Sequence, residues 1–309
     1  MQPAGDFYFD GTGFRASGLL DAGIFQEGDF YEVLRITDGV CLFLKDHLTR
    51  LNESILLSGI TRLPDAAWIQ DIIAGLISKN HLVSGNIKVL LKVKSDGQQV
   101  LYVFCIPFSY PGPVHYKHGV PTAVYSAMRQ NPNVKRLVPA LQEPLQKFIA
   151  VKKVYEALLV DSEDRILEGS RSNVFFIRGG EVLTAPGDTV LKGITRMKAI
   201  HLCNKLNIKL IEEAISINNL NETAGVFITG TSPKILPVCR IDDRIYPTDH
   251  PLLRRLMVAY DLLIREEIKK MKRNPCEYFQ GLFFCCGNFN RHVQQRRIHF
   301  RIFQYFHSL

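Results

Sequence analysis

A run of thirteen residues divides the chain. Between Pro107 and Gly119 the segment PFSYPGPVHYKHG carries three prolines and two glycines. Proline lacks the amide that a helix interior or a central strand needs, so neither regular element should run through this stretch. The 309 residues are about twice an ordinary ~150-residue domain. Together these observations predict a small N-terminal α/β domain over 1–112, a linker at 113–119 and a larger domain over 120–274.

The patterning on either side is definite. Residues 30–45, FYEVLRITDGVCLFLK, run as β-type residues around Asp38-Gly39, the dipeptide favoured in tight hairpins. Leu48, Leu51, Ile55 and Leu56 then recur at helical spacing, with Asp46 as the expected N-cap and Gly59 as the expected stop. A second helix is expected over 66–79 and two strands over 86–94 and 99–106. Beyond the break, the pattern predicts a strand at 121–127 and a helix end followed by a strand within 151–161. A hairpin turning at Gly179-Gly180 should follow, with amphipathic helices over 194–206 and 251–273. The last of these shows Leu252, Leu253, Leu256, Leu263, Ile264 and Ile268 along its apolar stripe.

The net charge of +8 suggests nucleic acid or a membrane surface until its position is considered. From Lys269 onward eight basic residues face one acid, Glu277, so the tail carries +7 and the body about +1. Residues 275–309 also hold seven of the chain's 19 phenylalanines and three of its seven cysteines. They read as an atypical basic aromatic tail, and nucleic-acid binding through it is the non-enzyme alternative. The other cysteines sit singly in apolar surroundings with no metal-type spacing, which points to buried thiols in a reducing compartment and to no metal site. No basic start followed by an apolar run opens the chain, and no membrane-length apolar stretch occurs, so a cytoplasmic location is expected.

Residues capable of chemistry fall in separated segments: GDFYEV with Tyr31, DHLTRL with Arg50, NPNVK with Lys135, ILEGSRSNVF with Glu168, LKGITR with Gly193, Ile194 and Thr195, and ITGTSPKILPV with Thr231 and Ser232. Singly, each has an ordinary reading. Lys135 is a solvated charge, Arg50 a partner for Glu53 one helical turn away, Glu168 a turn carboxylate, Thr195 a first-turn residue and Tyr31 strand filling. In this order, over residues 6–272, they resemble the class IV pyridoxal-phosphate aminotransferases. That fold-type IV family includes branched-chain and D-amino acid aminotransferases and aminodeoxychorismate lyase. The succession of EGSRSN and LKGITR is the most specific part.

The resemblance implies an α+β, D-amino acid aminotransferase-like fold, a small α/β domain beside a larger mixed β-barrel-like domain with helices. It implies pyridoxal 5'-phosphate as cofactor, Lys135 as the amine that condenses with the cofactor aldehyde, and Glu168 as the carboxylate facing the pyridine nitrogen. Arg50, Gly193, Ile194, Thr195, Thr231 and Ser232 would hold the phosphate, as backbone donors at a helix start, hydroxyls and a guanidinium suit that group. Tyr31 is placed on the substrate side. The polar residue that many relatives carry just after the lysine is absent from Val138 to Ala140. The chain reads KVLLKVKSDG where D-amino acid enzymes use an Arg-x-His element, with Lys92 or Lys94 as replacement and Lys94 as the candidate substrate contact. The implied activity is transfer of an amino group from a branched-chain or other apolar L-amino acid to a 2-oxo acid by a homodimer. Aminodeoxychorismate lyase and D-amino acid aminotransferase are the alternatives.

Overall fold

The computed structural model describes residues 4–19, 25–61, 64–94 and 96–273; the atypical tail lies outside them. The first body is a six-stranded sheet covered on one face by two helices. Its strands are β1 (Phe7–Phe9), β2 (Phe14–Ala16), β3 (Phe30–Thr37), β4 (Val40–Cys41), β5 (Gly85–Val93) and β6 (Gln99–Ile106), in the order β2-β1-β6-β5-β3-β4. Asp38 and Gly39 both take positive φ, 52° and 75°, the conformation of a two-residue turn whose twist suits the β3–β4 hairpin.

Helices α1 (Leu44–Leu56) and α2 (Ala66–Lys79) bury their apolar stripes against that sheet. Leu51, Ile55, Ile73 and Leu76 are essentially inaccessible, each worth about 1.5–3 kcal/mol of burial. Asp65 caps α2, accepting from the amides of Ala67 and Trp68. Helix α1 begins earlier than its sequence suggests: Phe43 takes a left-handed conformation as N-cap, so Asp46 falls in the first turn and pairs with Lys198 at 2.9 Å instead of capping.

The proline-rich break is not wholly irregular. Pro113 opens a short helix, α3 (Pro113–His118), because its fixed φ suits a first helical position and its missing amide is not needed there. Gly119, at φ 74°, ends it.

The second body is built on ten strands: β7 (Val120–Ser126), β8 (Glu156–Val160), β9 (Arg165–Gly169), β10 (Asn173–Arg178), β11 (Glu181–Thr184), β12 (Leu210–Glu212), β13 (Ile215–Ser216), β14 (Gly225–Gly230), β15 (Lys234–Ile241) and β16 (Arg244–Ile245). The path β10-β14-β15-β7-β8-β9 returns to β10 through the pair Asn173↔Glu168, closing a six-strand ring. Val174, Phe176, Val226, Ile228, Leu236 and Val238 share one buried cluster, whereas the alternate residues Phe175, Ile177 and Phe227 pack with helices α5 (Ile194–Lys205) and α6 (Pro251–Arg273). Helix α4 (Pro139–Lys152) lies on β7 and β8 through Leu145. The fold is mixed α+β, a small sheet domain beside a barrel-like sheet with helices. No helix among the described residues is long and apolar enough to cross a membrane.

Candidate active site

The site begins with the two faces of β3. Phe30, Glu32, Leu34 and Ile36 point toward α1 and α2, and Glu32 stands among them with no accessible surface. A buried carboxylate is costly unless paired. Helix α1 supplies the partners from one face, three residues apart: Arg50 donates from Nε to Oε1 at 2.8 Å and from Nη2 to Oε2 at 2.6 Å, and His47 Nδ1 lies 2.8 Å from Oε2. Burial opposes the charge on Glu32, but the Arg50 guanidinium and His47 outweigh it and bring the carboxyl down to about 2. Burial also holds His47 below its usual value, so it is neutral near pH 7. Because Glu32 can only accept, the imidazole proton belongs on Nδ1 and the Nε2 lone pair is left over. The remaining Arg50 nitrogen, Nη1, donates to the Lys192 carbonyl at 3.2 Å, which ties α1 to the segment before Gly193.

On the opposite face of the small sheet lie Tyr31 and, by the register Val33↔Lys88, the diagonal neighbour Lys88. Two ammonium groups approach the Tyr31 ring, with Lys135 Nζ 4.6 Å and Lys88 Nζ 4.7 Å from its centroid. Lys135 belongs to an irregular stretch, yet it is held firmly. Its amide donates to Ser54 Oγ at 3.1 Å, its carbonyl accepts from Tyr31, and Leu137 bonds back to Asp29 and Gly28. Lys135 is the main reason that the Tyr31 phenol lies below its ordinary value. Among the described residues no carboxylate lies in ion-pair range of either Lys135 or Lys88. Lys88 is 5% exposed, and desolvation lowers its pKa.

Glu168 is the last residue but one of β9 and is 3% exposed. Its Oε1 accepts from Arg129 Nε at 2.8 Å and its Oε2 from the Leu191 amide at 3.3 Å. Burial lifts the carboxyl above the usual carboxylate range while Arg129, the Leu191 amide and Lys135 pull it back. The turn after it is pinned by Glu156, also buried, which accepts from the Ser170 hydroxyl, the Arg171 amide and the Ser172 hydroxyl. Asn173, opposite Glu168 in the sheet, donates to the Leu191 carbonyl at 2.8 Å. Its Oδ1 approaches Gly193 so closely that a Cβ there would lie 2.2 Å away. Gly193 is thus required by proximity, not by its φ of −60°.

Gly193 is the N-cap of α5, so the amides of Ile194 and Thr195 lack partners within the helix. Both residues line a small cleft, where they and Thr231 and His47 are joined by Arg35, Lys234 and Tyr260. Ser232, next to Thr231, accepts from Arg35 Nη1 through its carbonyl and from Asn86 Nδ2 through its hydroxyl. Arg35 itself lies 3.8 Å over the Tyr110 ring. Lys94 is placed differently: it is exposed near the β5–β6 hairpin, with Nζ bonded to Gln98.

The donor set suits a pyridoxal phosphate. Hydroxyls and a helix start under cationic neighbours match a phosphate, the amine at Lys135 matches an aldehyde, and the buried Glu168 matches a ring nitrogen. Tyr31, Arg50, Lys135, Glu168, Gly193, Ile194, Thr195, Thr231 and Ser232 converge on this region and Lys94 does not. Sequence reasoning passed over Glu32, His47, Lys88, Arg129 and Tyr260. Two of these left a trace: Glu32 interrupts an apolar alternation, and Tyr260 stands in a helical stripe between Leu256 and Ile264.

Known proteins resemble the chain in both sequence and structure. The family model "Amino-transferase class IV" matches residues 29–241. A putative branched-chain-amino-acid aminotransferase of Methanocaldococcus jannaschii is 30% identical over 243 residues, covering 74% of this chain and 83% of that protein. The crystal structure of the Escherichia coli branched-chain amino acid aminotransferase superposes with a TM-score of 0.76 at 21% identity, covering 84% of this chain and 95% of that one. A branched-chain amino acid aminotransferase from T.th., solved with pyridoxamine 5'-phosphate, gives 0.75 at 20% identity, with 84% and 94% covered.

Proposed function

The chain belongs to the class IV aminotransferase family, and from that premise we propose that it moves the amino group of a branched-chain or other apolar L-amino acid to a 2-oxo acid, with glutamate and 2-oxoglutarate as the coupled pair. It is a pyridoxal-phosphate-dependent transferase. When bound, the cofactor supplies a protonated ring that accepts the electron pair left as the substrate's α-proton departs.

The chain's own residues account for the rest. Lys135 carries the proton to and from the substrate carbon. Tyr31, its phenol biased toward ionisation by Lys135, lines the path that this proton takes. Glu168, lifted by burial and drawn back in part by Arg129, orients the ring nitrogen. Gly193, Ile194, Thr195, Thr231, Ser232 and Arg50 hold the phosphate. Lys88 receives a substrate carboxylate, because a desolvated ammonium beside Lys135 is stabilised when an anion arrives. Val33, Leu90 and Leu137, which belong to the same apolar cluster as Tyr31, supply apolar wall for the side chain.

The observation that carries this reading is the approach of both the Lys135 and Lys88 ammonium groups to the Tyr31 ring. The same reading takes the enzyme as a cytoplasmic homodimer, with Lys94 turned toward the partner subunit. The compartment is supported by Cys41, Cys105, Cys203 and Cys239, all free thiols.

The test is the visible absorbance of the protein loaded with pyridoxal phosphate, followed as each member of an L- and D-amino acid panel is added, with Lys135→Ala alongside. The expected result is a yellow band that apolar L-amino acids bleach in the wild type, and no such band in the variant. Wild-type-like amine transfer by Lys135→Ala would overturn the assignment. Pyruvate release without an amino acceptor would favour the lyase.

A further inference from the structure

Tyr260 interrupts an otherwise aliphatic stripe. Along α6 the buried positions are Leu253, Leu256, Tyr260, Ile264 and Ile268, three or four residues apart on one helical face. Tyr260 brings a hydroxyl into this row while remaining only 3% exposed. A buried phenol costs free energy unless its hydroxyl finds a partner. Here the partner is Thr195 Oγ1 at 3.3 Å, and the pair lines the cleft that also holds Thr231 and the start of α5. Burial pushes the phenol up to about 12, so at neutral pH it keeps its proton and can donate. A threonine hydroxyl has one proton and two lone pairs. With Tyr260 as the donor, the bond takes up a Thr195 lone pair on the α6 side, and the Thr195 proton is then available to a phosphate oxygen bound in the cleft.

We infer that Tyr260 is a positioning residue for the cofactor's phosphate, holding the Thr195 hydroxyl as a donor aimed into the cradle. The last helix of the described fold thereby contributes to cofactor retention through Thr195. The inference rests on the reading of this cleft as the phosphate site.

The experiment is a titration of the apoprotein with pyridoxal phosphate, read by visible absorbance and protein fluorescence, beside the same titration with pyridoxal, which lacks the phosphate. Wild type, Tyr260→Phe, Thr195→Val, Thr195→Ser and the corresponding double variants are compared. Phenylalanine keeps the ring and its packing against Phe43, and thermal unfolding of each apoprotein verifies the fold. Tyr260→Phe should weaken pyridoxal phosphate binding about three- to tenfold, the range of one net hydrogen bond, and leave pyridoxal unchanged. It should add nothing to Thr195→Val, which has no hydroxyl to orient, and keep its effect on Thr195→Ser, which has one. Unchanged affinity, an equal loss for pyridoxal, or a full additional loss on Thr195→Val would overturn the inference. A wild type that binds pyridoxal as tightly as pyridoxal phosphate would instead overturn the phosphate-site reading beneath it.

Discussion

Replacing Glu32 by glutamine tests whether the buried Glu32–Arg50–His47 cluster is an ionised unit. In the wild type the carboxyl is brought from 4.5 to about 2. At about 1.4 kcal/mol per pH unit, that difference corresponds to about 3 kcal/mol of stability. Because the folded value lies below the unfolded one, the contribution is complete above pH 4.5 and is lost as the pH falls toward 2. Glutamine retains the shape, but it offers one acceptor oxygen to Arg50 where the carboxylate offered two, and it leaves a buried guanidinium without its counter-charge. The assay is urea unfolding of the apoprotein from pH 7 down to pH 2.5, and the expected loss at pH 7 is about 3 kcal/mol. The wild type should weaken steeply below pH 4.5, and the variant should show a shallower acid limb, because the group that titrates there is gone. Equal stability at pH 7 together with parallel acid limbs would refute the reasoning.

Two further substitutions probe separate parts of the site. Gly193→Ala has no conformational penalty at φ −60°, but its methyl carbon would meet Asn173 Oδ1 at 2.2 Å; the asparagine must swing away from the Leu191 carbonyl, costing about 1–3 kcal/mol and lowering both the apoprotein melting temperature and cofactor affinity. An alanine variant that melts with the wild type would show that the contact relaxes freely. Lys88→Met keeps an unbranched apolar stem and removes the charge, so KM for an acidic 2-oxo acid should rise about ten- to hundredfold, the value of a charge-assisted hydrogen bond, while the cofactor spectrum stays unchanged. Steady-state kinetics with acidic and apolar 2-oxo acids would detect this, and an unaltered KM for the acidic one would remove Lys88 from substrate binding.

Much of the architecture is legible along the chain because it follows from local rules. Helix α2 spans 66–79 and helix α6 spans 251–273, as their patterns predict, and both glycine-containing hairpins turn where expected. Alternation of period two, a helical period of 3.6 and the turn preference of Asp-Gly act between near neighbours, so a short window contains the information. The α1 start departs because its capping residue, Phe43, is set by the preceding hairpin and by the pairing of Asp46 with Lys198 on α5, 152 residues away. Lys135, Glu168, Gly193 to Thr195 and Thr231–Ser232 stand in short local strings, so the chain alone singles them out as candidates.

Their electrostatic setting was not legible. Glu32, His47 and Arg50 become one unit only when β3 turns a single face toward α1. Lys88 comes beside Tyr31 only through the β3–β5 register. Tyr260 reads as stripe filling until α6 packs beside α5 and brings its hydroxyl to Thr195, 65 residues earlier in the chain. Elements, turns and the identity of the chemical groups are written along the chain, because each depends on neighbouring residues. Which groups are desolvated and which charges face one another follows from packing alone, because burial and Coulomb pairing depend on distance in space, which chain closure over many residues establishes.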